Sequence, residues 1–226
     1  MTENEVENTY IGQVFASDRD IGRNSELTFS SEKSLSYFTV DPKTGFIVSN
    51  AAIDRESLIS ELGSDSITFE VVVSDNGVPK MSDTTTVRVT VQDENDNSPV
   101  FSKATYVTRL SESARPGTEV KAIFASDLDS GDNGVLHYRI VGGNRARKFS
   151  LNATTGLLYL EASLDREETA HYLLRIQAED GGQPALSASC SVTILVQDEN
   201  DNSPRLTNTR LSLTLPEDTA VGEKIF

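Results

Sequence analysis

The sequence contains one unit of roughly a hundred residues that occurs twice, and this internal repeat constrains the fold more than any other feature. Four motifs recur in the same order at offsets of 105 to 111 residues: FASDRD (15–20) and FASDLD (124–129), IDRE (53–56) and LDRE (164–167), SDNGVP (74–79) and EDGGQP (179–184), and the heptad DENDNSP at 93–99 and 198–204. A period of this length is a domain repeat, because solenoid repeats are only 20 to 45 residues long.

Apolar residues alternate with polar or smaller ones within each unit, as they do along β-strands. Four runs show this pattern: Ile67–Val73, Tyr172–Ala178, Val87–Val91 and Val192–Val196. Gly, Pro, Asn and Asp separate the runs, and there is no sustained helical stripe. About seven such short strands per unit predict an all-β fold of tandem seven-stranded Greek-key, immunoglobulin-like β-sandwiches joined end to end.

The ends of the two units predict where the chain divides. Residues 104–110 alternate before the SES motif and predict a first strand, whereas Met1 aligns with Leu110. Leu211, Leu213 and Leu215 alternate again near the C-terminus. We therefore expect a repeat at 1–97 that lacks its first strand, a complete repeat at 98–202, and the opening strand segment of a third, truncated repeat at 203–226.

Charge and composition restrict the function classes. With 20 basic and 35 acidic residues the net charge is −15, which argues against nucleic acid as a partner. No run is apolar enough to insert into a membrane, so we expect the targeting information to lie outside this chain. One cysteine, Cys190, allows neither an internal disulfide nor a thiolate metal cluster. The acidic surplus indicates soluble extracellular exposure, bound metal cations, or both.

The acidic motifs converge if the two sandwiches stack end to end. Eight carboxylates would then meet at one junction: Glu3, Asp54, Glu56, Asp93, Asp96, Asp127, Asp129 and Asp180. Two like charges about 5 Å apart repel by roughly 3 kcal/mol at an effective dielectric constant of 20, so eight carboxylates need counter-ions. Calcium takes six to eight oxygen ligands, and the absence of His and Cys from the set argues against zinc or copper.

These motifs resemble tandem extracellular cadherin repeats, in particular those of long ectodomains of the Dachsous, Fat and protocadherin type. The resemblance covers essentially the whole chain and implies about three calcium ions at the central junction. Its implied ligands are Glu3, Asp54, Glu56, Asp93, Glu94, Asn95, Asp96, Asn97, Asp127, Asp129, Asn133 and Asp180. Glu94, Asn97 and Asn133 would contribute backbone carbonyls. Residues Asp93–Asn97 would be the linker between the two repeats, a hinge that calcium locks.

Two further half-sites follow from the same resemblance. The second linker and its donors form a partial junction that we expect to hold one or two ions weakly: Glu112, Asp165, Glu167, Asp198, Glu199, Asn200, Asp201 and Asn202. The receiving half at the start of the chain has no donor linker: Asp18, Asp20, Asn24 and Asp75. Without any tryptophan, the chain cannot use the strand-swap mode of adhesion that depends on an N-terminal tryptophan.

Each of these signals also has a simpler interpretation. A lone DENDNSP could be a solvated turn. An EF-hand needs a glutamate at its twelfth position, where Ala104 and Thr209 stand instead. Asp54 and Glu56, two apart on an extended segment, would suit either a shared ion or glycosidase chemistry. His137 and His171 are expected at the surface, and Cys190 is expected to be a partly buried, inert thiol.

The resemblance implies a calcium-dependent cell–cell adhesion ectodomain of a single-pass plasma-membrane protein and not an enzyme. Its partner would be another cadherin ectodomain, homophilic or heterophilic. The alternative is a calcium-rigidified spacer with no adhesive face, and a third class is a secreted enzyme or carbohydrate-binding module. Asn152 opens a glycosylation triplet. We also expect residues 206–215 to be able to exchange as a strand with a neighbouring molecule.

Overall fold

The structure, a computed structural model, describes residues 1–31, 36–207, 210, 212, 214 and 216–222. Two β-sandwiches follow each other along the chain, so the predicted all-β class is confirmed. In the described part of the chain the only α-helix is eight residues long, and no helix there is long and apolar enough to span a bilayer.

The first sandwich has six described strands and one helix. They are β1 (Tyr10–Gln13), β2 (Thr28–Ser31), β3 (Phe38–Val40), β4 (Phe46–Ser49), α1 (Arg55–Leu62), β5 (Ser66–Ser74) and β6 (Ser82–Thr90), with a 3-10 turn at Gly22–Ser25. The strands form two antiparallel sheets, ordered β1-β4-β3 and β2-β5-β6. Phe38 stacks on Phe69 across the two sheets, with ring centroids 5.5 Å apart.

The second sandwich repeats this plan with a more complete edge. Its strands are β7 (Val100–Phe101), β8 (Thr105–Ser111), β9 (Glu119–Ala122), β10 (Ala125–Ser126), β11 (His137–Gly142), β12 (Phe149–Leu151), β13 (Leu157–Leu160), β14 (His171–Glu179) and β15 (Ser187–Gln197). The main sheets are ordered β11-β14-β15-β8 and β12-β13-β9, and β7 pairs with β10. Strand β8 is the strand predicted at 104–110.

The cores of the two sandwiches differ because β8 has no strand of matching length beside β6 in the described part of the first sandwich. Strand β8 runs parallel to β15 from Thr105 to Ser111, and β15 buries Cys190, Val192, Ile194 and Val196. The matching strand β6 is a sheet edge, and Val89 is its only buried residue. In the first sandwich, a single described bridge, the parallel one between Thr2 and Gln92, corresponds to the pairing of β8 with β15. An open groove of about 340 Å³ runs beside β6.

The alternation in the sequence predicts the buried faces well. Val71, Leu174, Ile176 and Ile194 are at most 1% exposed, and both histidines lie exposed on their strands as expected. Cys190 is 3% exposed, and its burial raises the pKa of the thiol to about 11, which makes it an inert core residue. The described residues between 203 and 222 form no strand, and Leu211, Leu213 and Leu215 lie outside the described residues.

Candidate metal centre

Glu3 is a fully buried carboxylate that connects three segments. Its Oε2 accepts a hydrogen bond from the backbone nitrogen of Arg55 at 2.8 Å, and its Oε1 accepts from that of Glu94 at 2.7 Å. The backbone nitrogen of Glu3 in turn donates to Gln92. A buried carboxylate is stable only when it is hydrogen-bonded or bound to a cation, so Glu3 fixes both the start of α1 and the start of the linker.

The Asp54-Arg55-Glu56 motif begins a helix, and the expectation of an extended segment was wrong. Asp54 is the N-cap of α1, and its Oδ1 accepts from the backbone nitrogen of Ser57 at 3.0 Å. This bond and that of the Ser57 hydroxyl lower the pKa of Asp54. Glu56 lies in the first helical turn. The helix start therefore places both carboxylates beside Glu3.

Two carboxylate clusters form at this end of the first sandwich. Glu3, Asp54 and Glu56 each offer an oxygen within 4.8 Å of the others, and so do Glu56, Asp93 and Asp129. Burial, the charge of Glu3 and that of Asp93 raise the pKa of Glu56 to about 7. The second cluster joins the first sandwich, the linker and the second sandwich.

Asp93 binds groups on both sides of the junction. Its Oδ1 accepts from Arg55 Nη1 in the first sandwich and from the backbone nitrogen of Ser130 in the second, both at 2.9 Å. Its Oδ2 accepts from Asn133 Nδ2 at 2.9 Å. Arg55 also contacts Glu56 at 3.3 Å and is 12% exposed, so its guanidinium partly neutralises the cluster.

Asn97 attaches the end of the linker to the loop at Asp127–Asp129. Its backbone nitrogen donates to Asp129 Oδ2 at 3.2 Å, and its Nδ2 donates to Asp129 Oδ1 at 2.8 Å. Burial raises the pKa of Asp129, the charges of Asp127 and Asp93 add to this, and the bonds from Asn97 oppose it. Asp129 thus receives linker donors while it belongs to a carboxylate cluster.

Asn95 docks into the loop between β14 and β15. Its Nδ2 donates to the carbonyl of Pro184 at 2.7 Å and to Asp180 Oδ1 at 3.2 Å. A Cβ on Gly182 would lie 2.2 Å from Asn95 Cγ, so only glycine leaves room for this amide. Among the described residues, Asn95 Oδ1 and Asp127 Oδ2 are the buried side-chain polar atoms without a hydrogen-bond partner. Both are acceptors, and a cation would satisfy both.

The second linker repeats the donor half of this arrangement. Glu112 accepts from the backbone nitrogens of Arg166 and Glu199, both at 2.7 Å, as Glu3 does in the first sandwich. Glu112, Glu167 and Asp201 form a third carboxylate cluster. Asp198 accepts from Arg166 at 2.6 Å, but its side chain is 63% exposed, against 13% for Asp93. The identical motif is therefore buried only where a second sandwich covers it.

The remaining predicted residues are placed as follows. The side chain of Asp165 accepts a hydrogen bond from the backbone nitrogen of Glu168, and its carbonyl accepts one from that of Thr169. Asn202 Nδ2 donates to Asp201, as Asn97 Nδ2 does to Asp96 in the first linker. Asn200 is exposed. Asp75 is 5% exposed and accepts hydrogen bonds from the backbone nitrogens of Gly77 and Met81, whereas Asp18, Asp20 and Asn24 are all exposed. In the described chain this first half-set forms no carboxylate cluster.

Several described residues contribute to the junction without having been predicted. Among them are Asn4, whose Nδ2 donates to Asp96 Oδ2 at 2.5 Å, together with Arg55, Ser130, Gly182 and Pro184. The sequence did point to Arg55, because Arg166 occupies the matching position in the second repeat, between Asp165 and Glu167. Gly182 could also have been found, since glycine stands at the matching position 77. Ser130 acts through its backbone and Asn4 has no repeated pattern.

Comparisons with known proteins agree with this geometry. A family model described as cadherin domain matches residues 1–92 and 106–197. The chain is 38% identical to human protocadherin Fat 4 over 218 residues and 39% identical to the Fat-like cadherin-related tumor suppressor homolog of Drosophila melanogaster over 220 residues. These alignments cover 96% and 97% of this chain but 4% and 5% of the relatives, so the chain spans a small part of their length.

Solved structures show the same fold. The crystal structure of mouse cadherin-23 EC22-24 gives a TM-score of 0.80 at 30% identity, covering 89% of this chain and 63% of that one. Protocadherin gammaB7 EC3-6, a cis-dimer structure, gives 0.82 at 30% identity, covering 94% of this chain and 51% of that one. Both are proteins built from the same kind of repeat.

Proposed function

Because this chain belongs to the cadherin family, we propose that it is a calcium-dependent adhesion segment in which calcium locks the junction between two repeats. Its relatives are extracellular adhesion proteins and not enzymes. The repeats would be 1–97, lacking the first strand, and 98–202, with the opening of a third at 203–226. The whole protein would be a single-pass plasma-membrane receptor.

We assign three ions to the central junction. Glu3, Asp54, Glu56 and Asp96 would hold the first. Glu3, Glu56, Asp93, Asp129 and the carbonyl of Glu94 would hold the second. Asn95, Asp127, Asp129, Asp180 and the carbonyls of Asn97 and Asn133 would hold the third. At the second linker, Glu112, Glu167 and Asp201 would hold one or two ions weakly, because Asp198 is largely exposed.

The observation that carries this proposal is the pair of unsatisfied buried acceptors, Asn95 Oδ1 and Asp127 Oδ2. One belongs to the linker and the other to the second repeat. Both are oxygens, and hard oxygen atoms are the ligands that calcium prefers. The carboxylate clusters supply the charge that would draw divalent cations into the junction.

The mechanism follows from which segments supply the ligands. Without bound ions, repulsion between the carboxylates opposes the hydrogen bonds by which the five linker residues, Asp93–Asn97, hold the two sandwiches together. Ions bound by both repeats and the linker favour one interdomain angle, and they also stabilise the native state by mass action. Extracellular modules of this kind bind calcium at about 10⁻⁴ to 10⁻³ M. The rod would then present its adhesive faces at a constant angle.

Small-angle scattering with calcium and with EDTA tests the rigidity. We expect a longer maximum dimension and a narrower distance distribution in calcium. Asp129→Asn should behave in calcium as the native chain does in EDTA, while Glu70→Gln, on an exposed strand position of the first repeat, should not. If the native chain had the same maximum dimension in calcium and in EDTA, the proposal would be wrong.

The partner would be another cadherin ectodomain on a neighbouring cell, homophilic or heterophilic. The cis-dimer of protocadherin gammaB7 supports pairing between cadherins in general. A calcium-rigidified spacer is the alternative. Beads coated with the full ectodomain, with and without these repeats, separate the two: loss of aggregation that is not restored by an unrelated pair of calcium-binding repeats supports an adhesive role, and restoration supports the spacer.

Strand exchange is a second proposal and is favoured by the groove beside β6. The groove is lined by Val14, Val71, Val73 and Met81 among other residues. Ala16 and Ser17 also line it, and they match the residues that pair with β7 in the second repeat. The donor would be residues 206–215 of another copy, several of which lie outside the described residues. Light scattering should show dimers of 1–226 but monomers of 1–204. Monomers of both at high concentration would contradict exchange.

A further inference from the structure

Asn152, which lies outside the calcium junction, carries a separate inference: we propose that it is the attachment site of an N-linked oligosaccharide. Asn152-Ala153-Thr154 is the only Asn-X-Ser/Thr triplet in the sequence whose middle residue is not proline. Such triplets also arise by chance, but the surroundings of all three residues in the structure favour a sugar acceptor.

The two ends of the Asn152 amide have different surroundings. Its Oδ1 accepts from the backbone nitrogens of Thr154 at 3.0 Å and Thr155 at 2.9 Å, which closes the turn between β12 and β13. Among the residues that the structure describes, no acceptor binds its Nδ2. Asn152, Ala153 and Thr154 are all exposed. The oxygen is thus engaged in the turn, and the nitrogen that would carry a sugar faces solvent.

The first repeat shows that this turn does not require asparagine. Asp41 occupies the matching position, and its Oδ1 accepts from the backbone nitrogens of Lys43 at 3.0 Å and Thr44 at 2.7 Å. The turn therefore needs one acceptor oxygen, which either residue supplies. The free nitrogen of Asn152 adds nothing to the turn, so it is available for another role.

All three positions of the triplet differ between the repeats, and each differs in the direction that a sugar acceptor requires. Asp41 lacks the amide nitrogen, Pro42 would block the middle position, and Lys43 lacks the hydroxyl. Asn152, Ala153 and Thr154 supply all three requirements on a backbone with the same hydrogen bonds. The shared fold does not demand these differences.

Backbone hydrogen bonds fix the position of the turn that carries Asn152. The carbonyl of Ala153 accepts from Tyr138 at 2.8 Å and that of Gly156 accepts from Ile123 at 2.9 Å, so the turn is held near the point where the chain leaves β9 toward Asp127. An oligosaccharide here would stand beside the central junction, at the end of the β12-β13-β9 sheet. Protein partners would be kept from that corner, while the opposite four-stranded sheet would stay open.

The chemistry is transfer from a lipid-linked oligosaccharide diphosphate. A bond forms between Asn152 Nδ2 and the anomeric carbon of the first sugar, while the bond from that carbon to the diphosphate oxygen breaks. The diphosphate leaves with the electron pair, and Nδ2 loses one of its two protons. No oxidant or reductant is needed, and the transferase is supplied by the secretory pathway.

The test is to secrete the chain from animal cells and analyse the peptide that contains Asn152 by mass spectrometry. We expect an oligosaccharide mass that disappears on treatment with a peptide amidase, which leaves aspartate at 152. Asn152→Asp, which keeps the acceptor oxygen as Asp41 does, and Thr154→Val, which keeps Asn152, should both be secreted without the sugar. Their melting temperatures should match that of the enzymatically deglycosylated native chain.

Two outcomes would overturn the inference. One is an unmodified Asn152 in the secreted native chain. The other is a sugar that persists in Thr154→Val, because the attachment would then lie elsewhere. Thr154→Val leaves both backbone donors to Asn152 in place, so a loss of sugar in this variant cannot be attributed to a broken turn.

Discussion

At the scale of single residues, the two copies of the linker motif act as an internal comparison. Asp93 and Asp198 stand in identical heptads, and each accepts a hydrogen bond from the arginine of the preceding acidic motif. Only Asp93 also binds Ser130 and Asn133 of the following repeat. The same side chain is therefore expected to have a large effect at one position and a small effect at the other.

We predict that Asp93→Ala lowers the melting temperature in calcium far more than Asp198→Ala. Removal of Asp93 leaves Ser130 and Asn133 without their acceptor, takes away the closer partner of Arg55 and would remove a ligand from the proposed second ion, a loss of roughly 2 to 4 kcal/mol. An exposed pair such as that of Asp198 contributes about 0 to 1 kcal/mol. Thermal unfolding of both variants measures the difference. Equal shifts would show that the covering repeat does not determine the role of the motif.

Glu56 predicts a pH dependence of calcium binding. Its pKa of about 7 in the calcium-free fold is above its ordinary value of 4.5. Between these values the folded chain holds a proton that the unfolded chain has lost, so the calcium-free fold loses stability as pH rises through this window. Calcium requires the ionised carboxylate. Its apparent affinity should therefore rise with pH and level off above about 7.

Calorimetry measures this linkage directly. At about pH 6, calcium binding should release a proton, and the apparent enthalpy should depend on the ionisation enthalpy of the buffer. In Glu56→Gln the part of this dependence that is due to Glu56 should vanish. Proton release that is the same in the variant would exclude Glu56 as its source.

At the scale of elements, the sequence predicted strands better than the helix or the contacts. The alternation of apolar and polar residues at Ile67–Val73 and Tyr172–Ala178 identifies β5 and β14. A strand with one buried face has an apolar residue at every second position, so its sequence reveals it. Helix α1 was missed because only Leu58 of its eight residues is buried, which leaves almost no periodic signal. Its ends are set by the Asp54 cap and by Gly63 in the left-handed region, at φ 69°.

The candidate site was predictable as a set of residues and not as a set of contacts. Repetition singles out Glu3, Asp93 and Asp129, since each has a counterpart in the other repeat or linker. The pairing of Asn95 with Asp180 and of Asn97 with Asp129 depends on how two sandwiches dock, which no local pattern encodes. Gly182 was missed although glycine repeats at position 77, because only the docked amide of Asn95, 87 positions earlier in the sequence, shows why glycine is required there.

Asp54 serves two roles that two substitutions can separate. Asparagine caps a helix about as well as aspartate, so Asp54→Asn should keep the calcium-free melting temperature and weaken calcium binding. Alanine removes the cap as well, so Asp54→Ala should also lower the calcium-free stability by about 1 kcal/mol. Thermal unfolding in EDTA and calcium titration provide the two readouts. Native calcium affinity in Asp54→Asn would remove Asp54 from the ligand set.

Gly182→Ala should loosen the docking of the linker. The added Cβ would lie 2.2 Å from Asn95 Cγ, so the amide must leave Asp180 and Pro184 or the loop must shift. Overpacking of this kind costs about 1 to 3 kcal/mol. Gly12→Ala is the matched control, since a Cβ there meets no atom within 4 Å. If both variants melted like the native chain in calcium, Asn95 would not be a docking residue.

At the scale of the whole molecule, the chain has a net charge of −15, and two of its carboxylate clusters lie where the two repeats meet. Repulsion between the carboxylates of the junction opposes docking, while Arg55 is the cation observed among them. Dissolved salt screens such repulsion over a Debye length of about 10 Å at 0.1 M. Calcium bound at the proposed sites would neutralise this repulsion directly. Dissolved salt should therefore substitute in part for bound calcium.

We predict that potassium chloride raises the melting temperature of the chain in EDTA but has little effect in calcium. Screening removes repulsion only where bound cations have not already done so. Glu56→Gln combined with Asp129→Asn should reduce this salt effect, although the net charge changes only from −15 to −13, two carboxylates fewer. Glu70→Gln with Asp83→Asn makes the same change on exposed strand positions and should keep the salt effect. If both double variants respond alike, the repulsion belongs to the whole surface and not to the junction.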